Sequence, residues 1–368
     1  MRFKAKNYNQ EYKVLSLALN NEVREDLERE AVEQLFIKDN VAKIFPQDIE
    51  LEFSENDIER LKERNNYDVF ELWEDGTLYL QYDASSVDNY FFITGKCNSN
   101  CIMCPSPDEA RKNQKTSDIN NQIKIAQHIP EDTPHLTITG GEPFMAGEDI
   151  FKLINFIRNK FRNTELLVLT NGRIFCIKHY LELFDESRPE LCVVGIPIHG
   201  SNSAIHDKIT QAEGSFEQTV CGVKNLLSKG ITVELRIVVS KLNINDMYNI
   251  AELVVDEMSS VDHVSIMAME MTGSAHRNRD KVWIPYGVAF RGIIRAIQLL
   301  INNGINVKLY NFPLCTVSKE YWPLCEKSIS VEKIKYGEEC TKCRYKDACG
   351  GIFAGTYLIE SEEIKAIV

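Results

Sequence analysis

No apolar run in these 368 residues approaches the ~20 needed to span a bilayer. The opening stretch, MRFKAKNYNQEYK, is polar and has no apolar segment ahead of a cleavage site. The expectation is therefore a chain with no signal peptide and no membrane partner, working in the cytoplasm. Basic charge is also short, with 42 Lys and Arg against 54 Asp and Glu and a net charge of −12. That balance argues against a nucleic acid held by a basic stripe. No internal repeat and no low-complexity segment is found in the sequence. Cysteine is not scarce. Eleven of them in a compartment that keeps thiols reduced point to metal or redox chemistry rather than to disulfides.

Hydrophobic content of 44% is enough for a large core, and the length allows two domains or one α/β barrel with appendages. The acidity sits at one end. Residues 1–88 carry 21 Asp and Glu against 11 Lys and Arg, and the remaining 280 carry 33 against 31. This stretch reads as a separate acidic α+β module, with either a solvated surface or a docking face for a basic peptide. Val23, Leu27, Ala31 and Leu35 recur every four residues, which predicts an amphipathic helix through NEVREDLEREAVEQLFI. A second, short helix is expected in SENDIERLKER, with Ser54 as its N-cap and Asp57 near the third position. Asp75-Gly76 joins two strand-like runs, a hairpin signal.

From residue 89 the pattern becomes strand, then helix, six times over. The candidate strands NYFFITG, HLTITGG, LLVLTNG, CVVGIPIHG, VELRIVVS and HVSIMAME are mostly apolar on both faces, as in parallel strands covered by helices. FKLINFIRNKF and SFEQTVCGVKNLLSKG read as helices between them. The expected fold class is α/β, a partial (β/α)6 TIM-like barrel over 89–300, with a doubly wound sheet as the alternative. Residues 301–368 read as a cysteine-rich tail that GINVKLYNFPLC enters as one more strand.

Cys97, Cys101 and Cys104 directly follow the first barrel strand. Cys-x3-Cys-x2-Cys differs from zinc spacing and places three thiolates on one short loop, able to hold three corners of an iron–sulfur cube. The fourth iron would be open, which catalysis requires and a structural site avoids. Gly140-Gly141-Glu142-Pro143 closes the second strand. Its glycines let backbone approach a ligand, and its carbonyls and carboxylate could accept from an ammonium group. Thr170-Asn171-Gly172 closes the third. In a barrel all three motifs share the C-terminal rim, where barrel active sites form.

CNSNCIMC, GGEP and TNGR, in that order at the ends of strands one to three, resemble a radical S-adenosylmethionine (radical SAM) enzyme. The resemblance implies a 4Fe–4S cluster on Cys97, Cys101 and Cys104, with SAM chelated at the open iron. Reductive cleavage of SAM would then give methionine and a 5′-deoxyadenosyl radical that abstracts a substrate hydrogen. It also implies SAM contacts at Gly140, Gly141, Glu142 and Asn171. Pro197-Ile198-His199-Gly200 aligns with a Ser-x-Asp-Gly pattern, so His199 stands where the ribose contact is usual. Arg236, if it faces the lumen, would meet the SAM carboxylate; otherwise it is a salt bridge with a nearby Glu. Met267 and Met269 would pack on adenine or simply fill the core.

In the tail, ECTKCRYKDACGG supplies Cys340, Cys343 and Cys349. Cys-x2-Cys-x5-Cys is a strong metal signal, since short loops gather thiolates at little entropic cost. The fourth ligand is Cys315, which follows a predicted strand, or Cys325, and the set fits a closed 4Fe–4S cluster or zinc. After a radical SAM barrel this spacing is similar to the SPASM/twitch tail, which binds auxiliary clusters. Phe353 stands where that ending usually has a further cysteine, so one auxiliary 4Fe–4S cluster is expected. Cys176, Cys192 and Cys221 sit among apolar residues and read as small core side chains.

These motifs, with AIHDKITQAEGSFEQTV, HVSIMAMEMTG and NVKLYNFPLC, most resemble the C-type radical SAM maturase of the His-Xaa-Ser system, over roughly 68–357. That implies a peptide or protein substrate carrying His-Xaa-Ser repeats, a second radical SAM maturase beside it, and an electron donor such as flavodoxin or ferredoxin. The alternatives are radical chemistry on a small metabolite or nucleotide, and a non-catalytic iron–sulfur scaffold. Acid–base candidates on or near the rim are His199, His206, Asp207, Glu270 and His276.

Overall fold

The computed structural model describes residues 1–106, 108–360 and 362–368. Its centre is an eight-stranded sheet in strict sequence order, every neighbouring pair parallel. The strands are β1 (Tyr90–Phe92), β2 (His135–Thr139), β3 (Glu165–Leu169), β4 (Cys192–Pro197), β5 (Thr232–Val238), β6 (His263–Met267), β7 (Asn306–Tyr310) and β8 (Cys325–Glu326). The first six are the six expected from the βα repeats, and the sheet curls into a partial barrel. It continues past residue 300 through β7, the extra strand expected in GINVKLY, and through β8, which has too few residues to show any periodicity. β1 and β8 do not pair, so the barrel has an open side.

Alternation decides which face each strand presents. Val233, Leu235 and Ile237 of β5 point outward and are fully buried under helices, as are Val264 and Ile266 of β6. Each such side chain contributes roughly 1.5–3 kcal/mol of burial. Glu234, Arg236 and Val238 point the other way, into the lumen. The covering helices include Ile119–His128, Ile150–Lys160, Ser215–Ser228 and Met247–Glu257. The most apolar helix, Tyr286–Asn302, belongs to a stretch whose composition would allow it to cross a membrane. Here it joins β6 to β7 and buries Phe290, Ile293, Ile297 and Leu300 in the barrel core.

The N-terminal module is a seven-stranded mixed sheet with its own core of Leu15, Leu17, Leu35, Ile44, Phe70 and Leu78. It rests on the barrel helix Ile119–His128 and the turn after it. There Ser16 Oγ lies 3.0 Å from His128 Nδ1, and Tyr82 and Thr133 hydroxyls bond at 2.9 Å. Ser54 caps the helix Glu55–Lys62 by accepting from the Asp57 N–H at 3.1 Å, and Asp75-Gly76 turns the expected hairpin with Gly76 at φ +81°. The first helix is shorter than its periodicity predicts. It spans Asn21–Arg29, Ala31 takes a left-handed φ of 57°, and Leu35 belongs to the strand Gln34–Lys38. That strand turns at Asp39-Asn40, both at positive φ, to pair with Val41–Phe45. A four-residue spacing is even, so it fits a strand as well as a helix, and pairing decided the matter.

Candidate functional site

The cysteine loop has no helix or strand of its own and is held from outside. The Asn100 and Ile102 N–H groups donate to the Thr210 and Ile209 carbonyls at 2.8 and 2.9 Å. Asn278 Nδ2 donates to the Ile102 carbonyl at 2.9 Å, and the Ser274 N–H to the Cys104 carbonyl at 2.9 Å. Arg173 Nη1 donates to the Asn98 carbonyl at 2.7 Å and to Ser99 Oγ at 3.2 Å, while its Nε holds Gln218 at 2.7 Å. The TNGR motif alone gives Arg173 no task, because its partners Asn98, Ser99 and Gln218 lie 75, 74 and 45 residues away in the chain.

The GGEP turn is pressed against the same loop. The Gly141 N–H donates to the Thr94 carbonyl at 2.7 Å, and the Glu142 N–H to the Lys96 carbonyl at 2.8 Å. A Cβ on Gly140 would stand 2.6 Å from the Thr94 oxygen, and one on Gly141 2.3 Å from the Lys96 oxygen. The glycines thus let two backbones touch. The Glu142 carboxylate points inward, 2% exposed. It accepts from Thr170 Oγ1 at 2.8 and 2.9 Å, from the Asn171 N–H at 2.7 Å and from the Phe144 N–H at 3.2 Å. Burial raises its pKa, with those donors acting in the opposite sense. Its carboxylate joins the ends of β2 and β3; what it can offer a ligand is backbone. Asn171 completes the chain by donating from Nδ2 to Asn98 Oδ1 at 2.6 Å. Gly141, Glu142 and Asn171 thus tie the strand ends to the cysteine loop by hydrogen bonds, with Gly140 packed against Thr94.

Two cavities meet at this loop. One, of about 700 Å³, is lined by Cys97 and Cys101 together with Arg111, Lys112, Arg277 and Lys281. The other, of about 670 Å³, is the barrel lumen, walled by Met103 and Pro105 from the loop and by Arg236, Met267, Met269, Glu270 and Tyr310. Arg236 faces the lumen and also makes the expected salt bridge, its Nη1 paired with Glu234 at 2.9 and 3.0 Å. Its Nη2 reaches Met267 Sδ at 3.7 Å. Burial works to raise the Glu234 carboxyl, but His263 and Arg236 overcome it and hold the pKa down at about 2. His263 stands 3.7 Å from Glu234 and 2.7 Å from Asp262. This charged floor of the lumen was not among the predicted site residues; Glu234, two residues before Arg236 on one strand, was the available signal.

His199 lines neither cavity. It is buried, its N–H donates to His206 Nδ1 at 3.2 Å, its own Nδ1 has no partner among the described residues, and burial drives its pKa down to about 3. His206 is held at about 4, chiefly by burial. Asp207 is committed to structure, accepting from the Gly214 and Phe216 N–H groups and the Ser215 hydroxyl at the start of the helix Ser215–Ser228. His276 is exposed on the short helix Gly273–Arg277, and Glu270 is half-buried on the lumen wall, its pKa raised by burial.

In the tail, Cys315, Cys340, Cys343 and Cys349 line one small cavity, and Cys325 is not among its lining residues. The Leu314 and Gly351 N–H groups donate to Cys349 Sγ at 3.4 Å each, and the Ile367 N–H to Cys343 Sγ at 3.5 Å. Phe353 is buried and lines the lumen instead. Among the described residues, no three His, Cys, Asp or Glu side chains converge on a point fit for a single metal ion.

The donor sets fit iron–sulfur clusters chemically. Burial pushes the Cys101 thiol up to about 12, and neighbouring Cys104 and Cys97 push the same way, so this group gives up its proton only to a cation that replaces it. Burial likewise lifts Cys315 to about 11, with Cys349 and Cys340 adding to it. Backbone N–H groups aimed at sulfur, as at Cys343 and Cys349, are among the contacts that tune such clusters.

Part of the chain matches known proteins. Residues 91–254 match the Radical SAM superfamily. Over 170 residues the chain is 31% identical to the antilisterial bacteriocin subtilosin biosynthesis protein AlbA of Bacillus subtilis (strain 168), covering 45% of this chain and 36% of that one. Over 168 residues it is 26% identical to the AdoMet-dependent heme synthase of Nitratidesulfovibrio vulgaris, covering 44% and 42%. The matched part is thus less than half the length of either relative. Streptococcus suis SuiB superposes with a TM-score of 0.52 at 14% identity, over 77% of this chain and 59% of that one, a likeness of fold. Residues 91–254, with the cysteine loop and the strand ends that hold it, are thus similar in sequence to the radical SAM superfamily.

Proposed function

We propose that this chain is a radical SAM maturase acting on a peptide or protein. The observation that carries the reading is the lumen cavity, walled by Met103 and Pro105 of one cysteine loop and by Phe353 of the tail that bears the other set. A substrate there would lie between both sets. In this reading Cys97, Cys101 and Cys104 hold a 4Fe–4S cluster, and Cys315, Cys340, Cys343 and Cys349 hold one auxiliary 4Fe–4S cluster. The four tail thiols share a cavity without closing on one point, which favours a cluster over zinc. Gly140, Gly141, Asn171, Arg236 and Met267 would contact SAM. Bound together, the first cluster and SAM supply one-electron cleavage of a sulfonium and abstraction of a substrate hydrogen. The chain's own part is to fix the loop through Arg173 and Asn171, to hold the Arg236 guanidinium by Glu234, and to keep water from the buried strand ends.

The peptide reading draws on the bacteriocin biosynthesis relative and on charge. Residues lining the lumen include six Asp and Glu against three Lys and Arg, a poor match for a haem-type tetrapyrrole with its carboxylates or for a nucleotide. The heme synthase relative favours a small-molecule substrate as the second reading. Within the maturases we place the chain in the C-type group of the His-Xaa-Ser system, with a His-Xaa-Ser repeat protein as substrate and a second radical SAM protein beside it. Arg111, Lys112, Arg277 and Lys281 around Cys97 and Cys101 suit an acidic electron donor, flavodoxin or ferredoxin. Eleven free thiols suit the cytoplasm.

The test is anaerobic reduction of the reconstituted protein with SAM, alone and with co-expressed candidate precursor peptides. Formation of 5′-deoxyadenosine together with a mass change in the peptide is expected. The catalytic reading fails if the Cys97→Ala, Cys101→Ala, Cys104→Ala triple variant still makes 5′-deoxyadenosine, and the peptide reading fails if only a small metabolite is altered.

A further inference from the structure

Cys176 and Cys221 belong to neither cysteine set, and the expectation that both are plain core residues does not hold. Cys192 is buried as expected, but these two are half-buried, and their side chains are in contact. Cys176 ends the turn Arg173–Cys176 that follows the TNG loop, and Cys221 lies in the helix Ser215–Ser228 packed across it. The turn and the helix touch at a glycine next to Cys221. A Cβ on Gly222 would stand 2.1 Å from the Gly172 carbonyl oxygen and 3.5 Å from the Phe175 Cβ. Cys221 and Cys176 are the chain neighbours of Gly222 and Phe175 at that contact. Asn225 Nδ2 spans the same junction, donating to the Phe175 carbonyl at 2.9 Å and to Cys221 Sγ at 3.7 Å. The Cys176 thiol is in hydrogen-bonding contact with that of Cys221, a contact that with some burial pushes it up to about 11.

We propose that Cys176 and Cys221 form a redox pair that closes to an intramolecular disulfide by exchange with a soluble low-molecular-weight disulfide such as oxidised glutathione. One cysteine sulfur attacks the glutathione disulfide, its S–S bond breaks, and one reduced glutathione leaves. The second cysteine sulfur then attacks the mixed disulfide and expels the other glutathione. Two protein thiols become one S–S bond, their two electrons reduce the reagent, and their two protons end on the two glutathiones. The bond staples the helix to the turn that carries Arg173, whose guanidinium holds Asn98 and Ser99 between Cys97 and Cys101. Thiol–disulfide poise would thereby act on the clamp around the first cysteine loop without touching a cluster ligand.

The experiment uses the cluster-loaded full chain under nitrogen, equilibrated with glutathione buffers from fully reduced to fully oxidised, quenched in acid, alkylated and mapped by mass spectrometry without reduction. The expected result is a cross-linked pair of peptides carrying Cys176 and Cys221, two hydrogens lighter than their sum and restored by dithiothreitol. Cys176→Ser and Cys221→Ser should each remove it, and Cys192→Ser should not. The proposal is overturned if both cysteines remain fully alkylatable in the most oxidising buffer. It is equally overturned if they stop as separate glutathione adducts. Loss of SAM cleavage in any sample would bear on the proposed function alone, because the cross-link is read directly.

Discussion

Replacing Gly141 with alanine tests whether the cysteine loop is positioned by backbone contact. The added Cβ would meet the Lys96 carbonyl oxygen at 2.3 Å, its carbon at 2.9 Å and the Gly95 carbonyl oxygen at 3.0 Å, all main-chain atoms with no side-chain freedom to retreat. Reaching ordinary contact requires the two segments to part by about 1 Å. At that separation the Gly141–Thr94 and Glu142–Lys96 hydrogen bonds, now 2.7 and 2.8 Å, are lost. Two such bonds are worth about 1 kcal/mol each, and the residual overpacking about 1–3 kcal/mol, so a destabilisation of about 3–5 kcal/mol is expected. Urea unfolding followed by circular dichroism measures it. Gly355→Ala is the control, since its nearest neighbour would be an ordinary 3.4 Å away and its φ is not left-handed. That variant should be neutral or stabler by up to about 1 kcal/mol. A Gly141→Ala protein within about 0.5 kcal/mol of the parent would show that the loop does not depend on this contact. The same 1 Å shift should also lower SAM cleavage by about 10²-fold in whatever variant remains folded.

Replacing Arg173 with alanine removes the donors to Asn98 and Ser99 while leaving the barrel core intact. Stability should fall by only about 1–3 kcal/mol, yet iron at the first site should be lost to a chelator faster than in the parent; an equal rate would refute the clamp. Replacing Cys340 and Cys343 together should reduce iron by about one cluster's worth per chain, and Cys325→Ala should leave it unchanged; unchanged iron with lost zinc in the double variant would refute the auxiliary cluster. Acid should destabilise the chain through His128, His199 and His206, whose folded pKa values burial depresses to about 4, 3 and 4. The unfolded chain takes up protons below its ordinary pKa near 6.5 while the folded chain does not, so stability falls as pH drops through 6.5 and keeps falling toward 4. Between pH 7 and 5.5 each histidine should account for about 1.3 kcal/mol, and a denaturant midpoint that does not move over that range would contradict their burial.

The sequence made the strands visible because parallel strands buried on both faces are written as apolar runs, and each run here ends in a polar or glycine-rich motif. The rim position of CNSNCIMC, GGEP and TNGR followed directly. Ser54 and Asp75-Gly76 were legible because a cap and a two-residue turn are local devices. Asp39-Asn40 was a turn of the same kind, passed over because the four-residue spacing of Val23, Leu27, Ala31 and Leu35 suggested continuing the helix. What stayed hidden was relational. The inward turn of the Glu142 carboxylate, the reach of Arg173 to Asn98 and the meeting of Cys176 with Cys221 join residues far apart in sequence, and neither composition nor period encodes them.

These hidden relations share a geometric cause. A loop with three cysteines in eight residues cannot build regular structure without hiding the side chains it must present, so its shape must be borrowed. It is borrowed from the ends of β2 and β3, through Gly141, Glu142 and Asn171, and from the helix that ends at Thr210. The strand ends are fixed in turn by the parallel register, Leu166 against Leu136 and Cys192. A shift of one residue in that register would reverse the faces of a strand and carry its rim motif out of reach of the loop. The position of the cysteines is therefore a property of the whole sheet. A core substitution that spares register should leave them in place, whereas one methyl group on Gly141 should move them.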